Sequence, residues 1–384
     1  MKFNQIELRN FRNISDQSLS LNPGLNIFRG ENGQGKTNLI EAIYLMTMGR
    51  SFRTSHLSDL INKKHGQGFY LSSFITKKEL SYRCHMLGEE SKKQISVNNK
   101  RWSSAQMKLH FQSVLFSPES LLIVKDSSQK RRDLLDELAT SLYPGFIKIQ
   151  WEYMRLLKQK KALLRKLKED KIRKPQGEVL YEQISRQMLE KGADMTAYRL
   201  TAIQDISPIL LQEFLSIMDS HYGNISIDYL VSNSKMMFQD KRQILNAMYK
   251  RWQELKPIEM ATGQCLVGPH KHDIDFIYNG ENARFFCSQG QQRAVVLAFK
   301  MAQIKLHYRA HKAFPILLLD DVLSELDREK QTRFVKYLIS TKAQILLTTT
   351  DATLLPEVAI SSVFEVIEGR FEKQKPMFTG GLSV

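Results

Sequence analysis

Apolar and polar positions along the chain change period several times, and each change marks an element. Leu25-Asn26-Ile27-Phe28 is a short, nearly continuous apolar run, and from Leu39 the apolar positions recur at helical spacing (Leu39, Ile40, Ile43, Tyr44) up to Gly49. This predicts a buried strand, a turn, and a helix closed by a glycine C-cap. Phe3 to Leu8 alternates as an edge strand does, and Phe69 to Ile75, Ser81 to Leu87 and Gln94 to Val97 alternate too, broken by Gly88 and the Asn98-Asn99 pair. A small antiparallel sheet is expected between about 66 and 116. From Arg131 to Met218 the period is helical. Trp151, Met154, Leu157, Leu164 and Leu167 share one stripe, and Leu180, Ile184 and Met188 another, with Pro175-Gln176-Gly177 between them. Two antiparallel helices joined at that turn are predicted, and polar Lys161 argues against a long coiled coil. Strand character returns near Cys265, a helix of about twenty residues runs through Val295, Ala298 and Ala302, and Ile316 to Leu319 and Gln344 to Leu347 read as buried strands.

The turn between the first buried strand and its helix reads Gly30-Glu31-Asn32-Gly33-Gln34-Gly35-Lys36-Thr37. Glycines at that spacing let backbone N–H groups turn inward around a polyphosphate, Lys36 adds a point charge, and the Thr37 hydroxyl can ligate Mg²⁺. The strand Ile316 to Leu319 ends in Asp320-Asp321. A parallel strand that delivers carboxylates at its C-terminal tip suits a Mg²⁺-nucleotide site, with Asp320 on the metal through water and Asp321 as general base on the attacking water. Ser288-Gln289-Gly290-Gln291 opens the twenty-residue helix, so Ser288 and the Gly290 N–H stand at a helix N-terminus that favours an anion. A chain that already holds a triphosphate at one such terminus has use for a second one only toward a second subunit.

Charge adds a partner. The 384 residues carry a formal net charge of +16 with a pI near 9.6, as a phosphate-backbone binder requires. Half of the excess, net +8, lies between Lys148 and Lys174. Lys158, Lys160, Lys161, Arg165, Lys166 and Lys168 are the expected DNA contacts, and a solvated helix face is the other reading of that run. Such binding would be largely independent of sequence and sensitive to salt. Cys84, Cys265 and Cys287 are too few and too scattered for a disulfide framework or a zinc site. With a polar N-terminus and no apolar run near eighteen residues, a cytoplasmic protein without a membrane is expected.

Asn10-Phe11-Arg12-Asn13, the phosphate loop, Phe116-Ser117-Pro118-Glu119, Lys130-Arg131-Arg132-Asp133, Val267-Gly268-Pro269-His270-Lys271-His272-Asp273, Ser288-Gln289-Gly290-Gln291-Gln292-Arg293 and Leu317 to Asp327 run in order along the chain. In that order they resemble the ATPase heads of the ABC superfamily, within its chromosome-maintenance branch, and most closely the RecF family. The resemblance implies an α/β fold: an ABC-type head built from residues 1–116 and 265–384, interrupted by a mainly helical lobe at 117–264. It implies ATP and Mg²⁺ on Gly30 to Thr37, and Ser288, Gly290 and Gln291 closing on the γ-phosphate of a partner subunit. Asp327 would lie at the dimer seam. Arg12 resembles an arginine that reaches nucleotide phosphate in related heads, and an exposed strand-end arginine is its other reading. The implied function is an ATP-dependent homodimer that clamps single-stranded and gapped duplex DNA in repair at stalled forks. RecR and RecO would be its partners in loading RecA, and it would support SOS induction.

Three departures from related ATPases bear on rate. Gln289 stands where transporter ATPases carry glycine and Asp321 where they carry glutamate, which shortens the base and implies slow hydrolysis. Thr348-Thr349-Thr350 stands where they place a histidine, so a threonine hydroxyl would replace it. Lys271 stands where arginine is usual, keeping charge but losing bidentate geometry. His270, His272, Asp273 and Asp275 are also readable as metal ligands, since i and i+2 share a strand face. A transporter energy subunit would share the loop and the acids, but the +16 charge and the inserted lobe weigh against it. An ATPase–nuclease of the overcoming-lysogenisation type should carry an added carboxylate-rich domain after the head, where this sequence ends soon after Pro376.

Overall fold

The computed structural model describes residues 1–64, 66–218, 223–236, 240–350 and 360–374. The chain divides into two compact units: residues 1–121, 216–220 and 304–384 form the first, and 122–215 with 221–303 the second.

Two six-stranded sheets make the first unit. One is antiparallel, in the order β2 (Ile14–Ser20), β1 (Lys2–Phe11), β4 (Gly68–Lys77), β5 (Leu80–Glu89), β6 (Lys93–Val97), β7 (Lys100–Trp102). The Asn98 and Asn99 backbones both have positive φ, 48° and 62°, which a two-residue hairpin turn requires. The alternating segment that begins at Phe3 is not an edge. β1 lies between β2 and β4, and the edge belongs to β2, whose polar Ser-Asp-Gln-Ser run hides it from a hydrophobic pattern. Gly88 does not break β5 but sits within it, where a Cβ would fall 2.2 Å from the Phe69 ring.

The other sheet has the order β16 (Arg370–Gln374), β15 (Ile360–Ile367), β3 (Leu25–Arg29), β14 (Ile345–Thr349), β13 (Ile316–Asp320), β8 (Ser113–Phe116). All pairs are parallel except β15 with β16. Strands β13 and β14 are buried along their whole length, as continuous apolar runs covered on both faces should be. Helix α1 (Lys36–Met48) shares one core with both sheets, through Phe3, Leu8, Phe28, Leu39, Ile43 and Leu318 among others. It ends as predicted: Gly49 is left-handed at φ 68° and its N–H bonds to Leu45 O. The short helices α2 (Ser104–His110) and α3 (Pro118–Leu121) flank β8 in the chain.

The second unit contains a four-stranded antiparallel sheet, β10 (Ser234–Lys235), β9 (Ile225–Val231), β11 (Asp273–Tyr278), β12 (Glu281–Asn282), with helices α4 (Ser128–Leu142), α5 (Phe146–Lys168), α6 (Lys174–Met218) as far as residue 215, α7 (Lys241–Thr262) and α8 (Ala283–Phe286). Helix α9 (Gln289–His311) contributes its residues 289–303 to this unit and 304–311 to the first. Residues 265–303, expected in the head, thus group with the helical lobe. Their β11 pairs with β9 over six residues, Arg131 of α4 grips Asp273 bidentately at 2.9 and 2.5 Å, and Arg132 donates to His272 O at 2.6 Å.

The helix pair is present, but its turn lies at 169–173, not at Pro175. Glu169 C-caps α5, Asp170 takes φ 51°, and Pro175 falls in the first turn of α6, where a missing N–H costs no helix bond. Trp151 and Met154 point outward, and the buried stripe is Tyr153, Leu156, Leu157, Lys160, Leu163, Leu164 and Leu167. Lys160 is therefore a core residue, which overturns its expected contact with DNA. Its Nζ lies 2.6 Å from Glu259 Oε2 and 5.0 Å from the Tyr181 ring centre. Glu259 also accepts from Tyr181 OH (2.6 Å) and from the Leu266 N–H (2.5 Å), and Trp252 Nε1 donates to Tyr181 OH at 2.8 Å.

Breaking one partner of a buried ion pair strands the other charge at a cost of about 3–5 kcal/mol. Lys160→Met alone should lower unfolding stability by about that amount, measured by urea titration. Adding Glu259→Gln, whose Oε1 still accepts the Leu266 N–H and whose Nε2 can donate to Tyr181 OH, should recover a large part of it.

Candidate functional site

The phosphate loop leaves β3 at Gly30 and enters α1 at Lys36. Two of its glycines meet neighbours directly. A Cβ on Gly30 would lie 2.3 Å from Val366 O, and one on Gly35, at φ 112°, would lie 2.8 Å from Asn13 Oδ1. Gly33, at φ 83°, faces open space instead, so its need is conformational. The turn between β15 and β16 pins the loop from outside: Gly369 N donates to Gln34 O at 2.7 Å and Glu368 N to Gln34 Oε1 at 2.7 Å. Asn13 Nδ2 adds a bond to Gln34 O at 3.2 Å. Lys36 Nζ lies back over the loop, donating to Gly30 O (2.5 Å) and Glu31 O (2.8 Å). Burial lowers the lysine's pKa, and the charges of Asp321 and Asp320 oppose that shift.

The acid-tipped strand arrives at the same place. Thr37 Oγ1 donates to Asp320 Oδ1 at 2.9 Å, and so does Thr348 Oγ1 from the end of β14, also at 2.9 Å. The Thr348 hydroxyl in turn accepts the Asp321 N–H at 2.9 Å. Asp321 has φ 47°, a left-handed conformation that Asp tolerates better than most residues. Burial raises the pKa of both carboxyls; Thr37 and Thr348 oppose the shift at Asp320, and Lys36 opposes it at Asp321. A hydroxyl and a carboxylate are hard oxygen donors that fit Mg²⁺, an ion that takes few ligands from protein and the rest from phosphate and water. Thr348 was the residue hardest to foresee. Its role depends on β14 lying between β3 and β13, and within the triplet Thr348 to Thr350 no local feature singles it out.

Arg12 is committed elsewhere in the same unit. Its guanidinium binds Glu41 bidentately, with both bonds at 2.8 Å, and donates to Asp59 O at 2.7 Å. Glu41 is buried on α1 and also accepts from Ser51 Oγ at 2.5 Å and Arg53 Nη1 at 3.4 Å. A groove of about 960 Å³ follows this flank of the loop, bounded by Arg12, Asn13, Gly33, Gln34, Asn38 and Arg53. Glu41 carries its own signal in the sequence, an acid among the apolar positions of α1.

Ser288, Gly290 and Gln291 lie in the second unit, at the start of α9. Ser288 N donates to Gln291 Oε1 (2.8 Å) and Gln291 N to Ser288 Oγ (3.3 Å), a reciprocal cap that satisfies two donors of the helix terminus. A Cβ at Gly290 would meet no atom within 4 Å, so its backbone is open to approach. In the first unit, Asp327 caps α10 (Arg328–Ser340), accepting the Lys330 N–H at 2.9 Å.

The alternative metal reading of the Val267 to Asp273 stretch does not hold. Both nitrogens of His270 are engaged, Nδ1 with Tyr153 OH at 2.5 Å and Nε2 with Cys265 O at 3.2 Å, and His272 Nδ1 meets Tyr229 OH at 2.8 Å. Asp273 serves Arg131, and Asp275 accepts from Asn282 at 2.7 Å. Among the described residues no group of three or more His, Cys, Asp or Glu is arranged to hold a metal. Likewise no described helix is long and apolar enough to cross a membrane.

A parallel strand, phosphate loop and helix, with a carboxylate strand one place beyond the neighbouring strand and an inserted helical lobe, define an ABC-type ATPase head of the chromosome-maintenance kind. Residues 2–372 match the model of the RecF/RecN/SMC N terminal domain. The chain is 33% identical over 358 residues to the DNA replication and repair protein RecF of Desulforamulus reducens, covering 91% of this chain and 92% of that one. To the protein of the same name from Staphylococcus epidermidis it is 34% identical over 364 residues, covering 91% and 93%. A solved structure of the recombination mediator protein RecF with ATP, in the RecFOR pathway, superposes with a TM-score of 0.86 at 28% identity, covering 97% of each chain. The chain belongs to the RecF family of DNA replication and repair proteins.

Burial holds His270 and His272 neutral, with pKa values down to about 4 and about 3. An unfolded histidine titrates near 6.5. Between the folded and unfolded values the unfolded chain binds the extra proton, so stability rises with pH there. The contribution is whole above about pH 6.5 and is lost as pH falls toward 3. His270→Gln should therefore show a smaller drop in melting temperature between pH 7 and pH 5 than the parent, in thermal scans at fixed ionic strength.

Proposed function

We propose that this chain is an ATP-gated DNA clamp of recombinational repair. The observation that carries the reading is the 2.9 Å bond between Thr37 and Asp320, which joins the phosphate loop to the acid strand in one unit. The loop amides of Gly30 to Gly35 and the Lys36 ammonium bind the polyphosphate, with Lys36 on the β- and γ-phosphates. Thr37 and Asp320 would hold Mg²⁺, which supplies charge neutralisation on the phosphate oxygens when bound. Asp321 polarises the attacking water as general base. Its side chain is one methylene shorter than glutamate's, which suits slow turnover, so hydrolysis acts as a timer and nothing is done to the DNA itself.

The reciprocal cap of Ser288 and Gln291, with the open backbone of Gly290, offers an anion site at a helix start. In a second copy it closes on the γ-phosphate, with Asp327 at the seam, so ATP holds two copies together. Arg12 supports the loop's flank through Glu41 rather than by touching phosphate. On α5, Lys158, Lys161, Arg165, Lys166 and Lys168 are exposed and meet the DNA backbone, while Lys160 supports them from within. Family membership and the RecFOR context of the solved relative favour gapped and single-stranded DNA as cargo, RecO and RecR as partners, RecA loading and SOS induction as the outcome, and the cytoplasm as the place.

DNA retention on a filter tests this with ATP, with ADP and without nucleotide, on the parent and on Lys36→Met. Retention should be strong only for the parent with ATP, at least about tenfold above the other conditions, the size of a modest gating free energy. Equal retention throughout would leave a basic DNA binder whose nucleotide site has no control over it.

A further inference from the structure

A cavity of about 600 Å³ opens in the second unit beside α5, lined by Lys161, Arg165 and Lys168 from successive turns and by Gly263, His270 and Lys271 across from them. Four cations border it. Glu169, its one acidic lining residue, is already engaged by Arg165 at 2.8 Å and by Lys171 at 2.7 Å. Lys161 and Lys271 meet no carboxylate among the described residues, and both are near enough to His270 to help keep it neutral.

Both walls are fixed from beneath. Lys160, the residue before Lys161, is tied to Glu259, and Glu259 holds the Leu266 N–H, so one buried pair sets the helix and the opposing loop together. The loop is then turned by Gly268 at φ 133°, where any Cβ would strike Tyr153 OH at 2.3 Å, and by the Lys271 N–H to Gly268 O bond at 2.9 Å. Lys168 reaches Thr262 O at 3.5 Å, and its side chain packs beside Gly263, where a Cβ would meet its Cδ at 3.3 Å. The floor cannot supply the missing negative charge. His270 has both nitrogens in hydrogen bonds, and burial pushes the Cys265 thiol up to about 11.

We propose that this cavity seats one or two consecutive phosphates of a nucleic-acid backbone and is the fixed anchor of the DNA path. The inference rests on the clamp reading above and narrows it from a charged face to a particular pocket. No Phe, Tyr or Trp lines the cavity, so nothing there can stack on a base. Lysines without a carboxylate partner around a concave seat recognise the repeating anion alone, which gives binding without regard to sequence.

Labelled duplex is titrated at several salt concentrations against two double variants that each remove two positive charges from the same lobe. Lys161→Gln/Lys271→Gln alters the pocket, and Lys125→Gln/Lys250→Gln lies outside it. The pocket double should lose at least about tenfold in affinity and flatten the logarithmic salt dependence by about two, as expected for two lost phosphate contacts. The outside double should lose less than about threefold. Equal losses would overturn the proposal in favour of diffuse charge, and parental affinity in the pocket double would overturn it outright. In either case ATP-gated retention by the parent would still stand. If the parent itself bound no DNA, the clamp reading would fail first.

Lys161→Arg/Lys271→Arg, with a melting temperature matched to the parent, should bind within about threefold of it. Loss there as well would refute a seat defined by charge. Calorimetry with inorganic pyrophosphate on Lys36→Met separates the sources of phosphate. Only millimolar binding is expected, and micromolar binding that vanishes when the pocket substitutions are added would assign the cavity to free polyphosphate instead.

Discussion

Everything at the nucleotide site depends on one hydroxyl-to-carboxylate bond between residues 283 positions apart, Thr37 to Asp320. It can form because β3, β14 and β13 are parallel and adjacent in that order, with Thr348 in register with Phe28 on one side and Asp320 on the other. Parallel alignment brings all three C-terminal strand tips to one edge of the sheet, where open α/β folds bind ligands. Thr348 then bonds to Asp320 and receives the Asp321 N–H, so the middle strand fixes both acids at once. Slippage of β14 by one residue would turn that hydroxyl to the other face and separate the acids from their support.

The same economy governs the helical lobe. In α5 adjacent lysines take opposite parts: Lys160 is buried against Glu259, Tyr181 and Trp252, and Lys161 stands in solvent on the basic stripe. A fully buried ammonium survives only with its counter-ion in place, so this pair constrains where three helices and the Leu266 loop meet. Arg131, Arg132 and Arg199 do comparable work at Asp273, His272 O and Asp136. These three buried arginines are therefore internal framework and add nothing to the charge that meets solvent.

What could be read from sequence was local. The phosphate loop, the helix ending at Gly49, the hairpin at Asn98-Asn99 and the acids at the end of Ile316 to Leu319 each sit within one run of residues whose geometry their own chemistry dictates. What could not be read was set by partners far along the chain. β1 became a central strand because a polar β2 covers it, and residues 265–303 joined the helical lobe because β9 claims β11. Lys160 turned inward because Glu259 waits ninety-nine positions later, and Arg12 was taken by Glu41. A single sequence lists such charges but does not pair them.

The central claim is that the triphosphate is shared between two copies, one contributing the loop and acids and the other its capped helix start. Multi-angle light scattering at constant protein concentration tests it most directly. With Mg²⁺ and ATP the molar mass should approach twice that of the 44.5 kDa chain, and it should fall back with ADP. A mass that stays at one chain with ATP, duplex DNA present or not, would contradict the account.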